Sequence, residues 1–227
     1  MTSLLAIEAS TEACSVALIY NGKESEDFRL LPRAHTRYLL PMVDQILSDY
    51  GIAVADLDAI GFSAGPGSFT GLRVCAGLVQ GLAFAADKPV VAVSTLQAIA
   101  QGEADRLGLA EGNVLLPSLD ARMDEVYWGE YCYRNGIAEP LTADSLRSPE
   151  SIPVIAGENS VYGFGNGWNY ISRFTVDGAL NSIDVDVYPH AQAVLKLATL
   201  AFQRGEYVTA ELAQPVYLRD SVAWQKS

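Results

Sequence analysis

Apolar runs and polar turns alternate along the chain, and the period of each run predicts an element. Leu4 to Glu8 is short and apolar. Cys14 to Tyr20 alternates and is rich in β-formers, and Asn21-Gly22 is a two-residue hairpin signal with Glu24 to Leu31 as the return strand. Arg33 to Tyr50 switches to helical spacing. Its apolar arc, through Tyr38, Leu39, Leu40, Met42, Val43, Ile46, Leu47 and Tyr50, spans about 200°, roughly twice what one neighbour requires, which predicts contact with two bodies. Pro41 lacks a backbone donor, so this helix starts late or bends there. Leu57 to Phe62 reads as a buried strand, Ser63 to Arg73 as a glycine turn, and Leu72 to Ala86 as a helix with almost no charge. Pro89 to Val93 is a parallel strand after a crossover, and Ser94 or Thr95 caps a helix reaching about Leu109. Gly112 to Leu119, a polar turn at Asp120 to Asp124, and Glu125 to Tyr133 form another hairpin. From Asn135 to Pro189 prolines, glycines and short polar runs dominate, with short strands at Val154 to Ala156 and Phe174 to Val176. His190 to Gln203 is a last amphipathic helix, stopped by Gly205. The order predicts an α/β protein with a mixed sheet.

The glycine turn, Ser63-Ala64-Gly65-Pro66-Gly67-Ser68-Phe69-Thr70-Gly71-Leu72-Arg73, is the densest motif. A glycine turn opening a helix attracts anions. Its spacing, however, is G-x-G-x-x-x-G, and no Lys-Ser or Lys-Thr follows, so neither the dinucleotide nor the P-loop pattern is met. A structural turn and a phosphate cradle both remain open, as they do for the link Glu8 to Glu12. Ser68 or Thr70 can cap the helix. One face of that helix, Gly71, Cys75, Leu78, Val79, Leu82 and Ala86, is expected to face a core. The other, Thr70, Arg73, Ala76, Gly77, Gln80, Gly81, Phe84 and Asp87, is neither charged nor a core. Two glycines one turn apart cost about 1 kcal/mol each against alanine, so a close neighbour, internal or external, is expected there.

A formal net charge of −12 disfavours unaided binding to nucleic acid. Cys14, Cys75 and Cys132 form no metal spacing and read as free thiols in a reducing compartment. No basic stretch precedes an apolar run at the start, and Val74 to Ala86 is too short to span a bilayer, so a soluble cytoplasmic protein is expected. His35 reads as a capping or surface residue, since position 39 is leucine and no second ligand lies one turn on. Neither His35 nor His190 stands in H-x-x-x-H spacing, there is no G-x-S-x-G elbow, and Asp120, Asp124 and Glu125 read as ordinary hairpin acids. No catalytic residue and no metal ligand is assigned.

Ala6-Ile7-Glu8-Ala9-Ser10-Thr11 with Ala13 to Leu18, His35-Thr36 with Leu40 to Val43, Gly65 to Arg73, Val93 to Leu96, Asp120 to Met123 with Glu125 to Trp128, and Pro215 to Arg219 with Val222-Ala223-Trp224 together resemble the TsaB (YeaZ) family over the whole chain. Glu8 departs from the family's more frequent aspartate but keeps a carboxylate. The resemblance implies an actin-like ATPase-superfamily (ribonuclease H-like) fold with two subdomains. They are taken as 1–109, carrying the dimerisation helices, and 110–227. It implies a non-catalytic partner in threonylcarbamoyladenosine synthesis on tRNA. That partner is a homodimer alone and a heterodimer with the paralogous catalytic subunit TsaD, with TsaE as the ATPase subunit. It implies no intrinsic cofactor, ATP or ADP only at the level of the complex, tRNA only through the complex, and no membrane. In the family the two N-terminal helices pack as a bundle at both contacts. That assigns Leu39, Met42, Val43 and Ile46, with Thr70, Arg73, Ala76, Gly77, Gln80, Gly81 and Phe84, to the partner interface. The catalytic paralogue carries an H-x-x-x-H metal pair where this chain has Thr95 and Ile99, neither a useful ligand for a transition metal. Two other readings compete: an enzyme, either a peptidase or a weak ATPase using a nucleotide-facing turn at Glu8, Ser10 and Thr11, or a homodimeric binding protein outside tRNA chemistry.

Overall fold

The computed structural model describes residues 2–155 and 160–219. The readings at Ala156 and at Val222-Ala223-Trp224 lie outside the described residues. The N-terminal strands are β1 (Leu4–Glu8), β2 (Ala13–Tyr20) and β3 (Lys23–Leu30), a meander whose second turn is made by Asn21 and Gly22, both with positive φ as the hairpin signal requires. Helix α1 (His35–Tyr50), strand β4 (Ala59–Gly65), helix α2 (Phe69–Ala86), strand β5 (Val90–Ser94) and helix α3 (Thr95–Leu107) follow. The first sheet has the order β3-β2-β1-β4-β5, with β4 and β5 parallel to β1.

The first sheet is buried on both faces. On one side Ile7, Val16 and Phe62 pack against Leu39, Met42, Val43 and Ile46 of α1 and Cys75 and Val79 of α2. On the other, Leu4, Ala6 and Ala17 pack against Val194 and Ala198 of the last helix. Gly61 lies under that helix, and a Cβ there would come 2.6 Å from the Ala198 methyl. α1 starts at His35, six residues before Pro41, so the proline neither delays nor begins it.

The second sheet is built from β6 (Val114–Arg122), β7 (Glu125–Trp128), β8 (Tyr131–Arg134), β9 (Ile137–Pro140), β10 (Ser145–Arg147), β12 (Val161–Phe164) and β14 (Ser182–Asp184). Glu125 to Tyr133, expected as one return strand, is two, because the chain breaks at Gly129-Glu130. β11 (Pro153–Ile155) and β13 (Thr175–Asp177), at the two short strands expected near Val154 and Val176, pair in parallel. α3 packs on this sheet through Leu96, Ile99, Ala100 and Ala104. Trp128, Trp168 and Phe174 fill a further core on its other side.

A cut at 109/110 separates the sheets but not the lobes. α4 (Ala191–Gln203) returns to the first sheet, and the segment after it stays there. Val208 bridges Val90, Ala210 and Ala213 enter the first core, and Val216 N–H donates to the Ala64 carbonyl. The second sheet is thus carried on a chain that leaves and re-enters the first lobe.

The start of α3 corrects the cap. Ser94, not Thr95, accepts from the N–H groups of Leu96 and Gln97, at 3.1 and 3.2 Å. Ser94 also donates to Asp144, whose other oxygen accepts from Tyr131. Burial raises the Asp144 pKa against these two bonds. Thr95 is fully buried and its hydroxyl has no partner among the described residues. An unpartnered buried hydroxyl costs about 1–3 kcal/mol, so Thr95→Val is expected to hold or raise stability, whereas Ser94→Ala loses about 1 kcal/mol or more. Urea unfolding of both variants checks this; a large loss for Thr95→Val would mean its hydroxyl is engaged.

Candidate functional site

Helix α2 runs between the first core and solvent. Ser68 caps it, its side chain accepting from the Gly71 N–H. The helix begins earlier than its apolar run, so its 18 residues are by length and composition enough to cross a bilayer, a test that a helix packed on a core also passes. Its Cys75, Val79 and Ala83 side lies in the core. Leu78 and Leu82, expected in the core, are only partly buried at its margin.

On the opposite side Thr70, Arg73, Gly77, Gly81 and Phe84 are exposed, and Phe84 at 71% is the most exposed large hydrophobic residue among those described. A Cβ at Gly77 or Gly81 would meet nothing within 4 Å. The neighbour expected there is therefore not part of this chain's described fold. The Arg73 Cζ lies over the Phe69 ring, 3.6 Å from its centroid, and the side chain donates to the Tyr217 hydroxyl. Gln80 is half-buried and donates to the Ala213 carbonyl.

Five of the residues assigned to the interface are core residues. Ala76 is 4% exposed and packs on the first core. Leu39, Met42 and Val43 are 1% exposed and Ile46 5%, all turned onto the first sheet. The wide arc of α1 is explained within the chain: Tyr38 and Tyr50 pack at the margin of the same core, and only Leu40 stands out in solvent. Exposed apolar residues that helix periodicity could not reach lie on the C-terminal segment beside α2, namely Leu212 and Tyr217. Only the proximity of that segment to α2 reveals them.

The glycine turn makes a direct backbone contact with the β1–β2 turn. Ser68 N–H donates to the Ser10 carbonyl at 2.6 Å, and the β1–β2 turn lies directly on the start of α2. A Cβ at Gly67 would come 2.3 Å from the Ser10 carbonyl oxygen, and one at Gly71 2.0 Å from that of Ala9. Both glycines are needed for this approach.

Glu8 points into the protein. It is fully buried, and one carboxylate oxygen accepts from the Ser10 N–H and hydroxyl, each at 2.6 Å. The other oxygen has no hydrogen-bond partner among the described residues. Burial raises its pKa from 4.5 to about 7, against the bonds from Ser10 and the influence of Ser63. Of the proposed nucleotide-facing trio, Glu8 and Ser10 are buried and bound to each other; Thr11 alone is part-exposed, and its hydroxyl accepts from Ala13 N–H.

Between the lobes lies a cleft of about 870 Å³, lined by Thr11, Phe69 and Thr70 on one side and Arg122, Tyr127 and Asn166 on the other. His35 stands at its edge but is buried, with Nε2 3.1 Å from the Ala13 carbonyl, so it pins α1 to β2 instead of capping or facing solvent. The hairpin acids are taken up by arginines: Asp120 by Arg122, Asp124 by Arg173 and Glu125 by Arg219. The three cysteines are buried, and burial pushes the Cys14 thiol up to about 12. Thr95 and Ile99 are sealed in the protein.

The family model for TsaD, tRNA N6-adenosine threonylcarbamoyltransferase, matches residues 29–226. The tRNA threonylcarbamoyladenosine biosynthesis protein TsaB of Escherichia coli K12 is 40% identical, over 98% of this chain and 97% of that protein. Its Haemophilus influenzae counterpart is 38% identical over 99% and 96%. Among solved structures, YeaZ from Pseudomonas aeruginosa superposes with a TM-score of 0.90 at 43% identity, covering 96% of this chain and all of that one.

Two stability measurements test the site. Gly71→Ala should cost about 1–3 kcal/mol through collision with the Ala9 backbone, while Gly77→Ala, in open space, should gain about 0.5–1 kcal/mol in the monomer. Equal effects at the two positions would contradict the different surroundings of the two glycines. For Glu8, the folded state keeps the proton that the unfolded chain releases. Its contribution is therefore complete below pH 4.5 and is lost as pH rises through about 7. Glu8→Gln should remove that slope, gaining about 3 kcal/mol relative to the parent between pH 4.5 and 8 in urea titrations. A constant difference between the two proteins across that range would mean Glu8 titrates normally.

Proposed function

The chain belongs to the TsaB (YeaZ) family and acts in tRNA threonylcarbamoyladenosine biosynthesis, and within that role we propose that it is the non-catalytic partner of the transferase TsaD, docking through the exposed side of α2. The observation that carries this reading is the open stripe Gly77–Gly81 beside Phe84. Two interior glycines cost this helix about 2 kcal/mol, and nothing within the described fold uses the space they leave. A helix from another subunit laid across them would bury Phe84 and approach α2 more closely than any side chain permits. The match of the transferase's own family model to this chain supports a partner of the same fold.

The proposed role needs no chemistry from this chain. Thr95 and Ile99, where the resemblance puts the paralogue's metal pair, are enclosed and offer no imidazole. The acidic net charge fits a subunit that meets tRNA only through the complex. TsaE and ATP or ADP enter at that level, and the homodimer uses the same stripe and so competes with TsaD. The interlobe cleft favours a second reading, a weak nucleotide site, with Thr11 and Thr70 on its wall. The inward turn of Glu8 and the closed contact at Ser10 weigh against it.

The test is tRNA threonylcarbamoylation with TsaD, TsaE, threonylcarbamoyl-adenylate, ATP and tRNA, with and without this chain. Product is expected only when this chain and TsaD are both present. Product from this chain alone, or unchanged product in its absence, would overturn the reading. Gly77→Leu should weaken association with TsaD by about 5- to 150-fold, as overpacking of about 1–3 kcal/mol requires. Wild-type affinity in that variant would move the interface elsewhere.

A further inference from the structure

The β6–β7 hairpin carries unusual backbone. Arg122, Met123 and Asp124 have φ of 65°, 55° and 60°, three consecutive non-glycine residues in the left-handed region. Such residues are rarely found there, because Cβ crowds the carbonyl, and a conformation of this kind persists only where its surroundings hold it. Met123 is 63% exposed at the tip, so packing of its own side chain does not hold the turn.

Local groups hold part of it, with Asp120 accepting from the Arg122 N–H at 2.8 Å and Arg173 pairing with Asp124, and the long-range hold comes from Arg219, almost a hundred residues away. Its guanidinium donates to the carbonyls of Ala121 and Arg122 at 3.2 and 3.3 Å, approaches the Met123 sulfur, and pairs with Glu125 at 2.5 Å. Only 19% of the Arg219 side chain is exposed, so these bonds are partly shielded from solvent. Two residues earlier the same segment is bound to the other lobe. The Tyr217 ring lies 5.3 Å from Phe69, with its hydroxyl on Arg73, and Val216 N–H is bound to Ala64. Gly65 lies so close beneath this segment that a Cβ would come 2.5 Å from the Val216 carbonyl oxygen. Val216 to Arg219 therefore crosses from the glycine turn of the first lobe to the hairpin tip of the second, along the wall of the cleft.

We propose that this segment is a latch: Arg219 clamps the left-handed turn at 122–124 to the first lobe, and its release lets the hairpin relax and the interlobe cleft open. Arg219 is the part that lets go, because its contacts are polar and single-residue, whereas Val216 and Tyr217 are held by backbone bonding and ring contact.

Hydrogen–deuterium exchange on the full chain tests this with Arg219→Ala and Arg219→Lys. Arginine contacts two carbonyls and a carboxylate at once, a pattern that one ammonium cannot reproduce. Both variants should exchange at least 10-fold faster at the amides of residues 119–128, with Arg219→Ala the faster. Protection in β1, β2 and β4 should be unchanged, and small-angle scattering should show a larger radius of gyration for Arg219→Ala. Unchanged exchange at 119–128 would overturn the proposal, because the turn would then hold itself. Uniform acceleration through both lobes would also overturn it, because Arg219 would then support the fold as a whole. A faster hairpin with an unchanged radius would overturn the opening of the cleft.

Discussion

A single backbone contact fixes the frame of this molecule: the N–H of Ser68 bound to the carbonyl of Ser10. It requires two chain segments to approach without side chains between them, which Gly67 and Gly71 allow. The contact sets where α2 begins, and thereby which of its sides meets the sheet and which is left outside. It also lays the β1–β2 turn, whose Glu8 faces inward, on the start of α2. The glycine motif is a joint in the fold.

From that joint α2 divides into two sides of different character. Cys75, Val79 and Ala83 supply ordinary core burial, and each apolar side chain removed from water there is worth on the order of 1–3 kcal/mol. The other side carries glycines and an exposed phenylalanine, a choice that weakens the isolated helix and that no contact among the described residues explains. The same logic sorts the buried polar groups. Ser94, Asp144 and Tyr131 bond to one another and settle the start of α3, whereas the hydroxyl of Thr95 has no partner in a place where the resemblance points to a metal ligand in the catalytic paralogue.

Local signals survived into the structure where one residue type has one physical use. Asn21-Gly22 makes its hairpin, Ser68 caps α2, and Gly205 stops α4 with a positive φ. The open face of α2 was legible because glycine in a helix interior is costly enough to need a reason. Leu39, Met42, Val43 and Ile46, which the resemblance assigned to the interface, are core residues, because the width of an apolar arc does not say what covers it. One sheet and the margins of one core take up nearly all of that arc. The direction of the Glu8 side chain was not legible either, since an acidic residue at a strand end looks the same whether it faces a ligand or its own turn. The role of Arg219 depends on a contact between residues almost a hundred positions apart, for which no local pattern exists.

The return of α4 to the first sheet has a consequence for biosynthesis. β1 and β4 present Ala6 and Gly61 to a helix that is not made until residue 191. As the chain leaves the ribosome, the first sheet can gain α1 and α2 on one side, but its other side stays bare while the whole second lobe is translated. At about 5–20 residues per second that interval lasts several seconds. The nascent first lobe is therefore a half-covered sheet for most of synthesis, and it is a client for chaperones or for premature association until its last helix arrives.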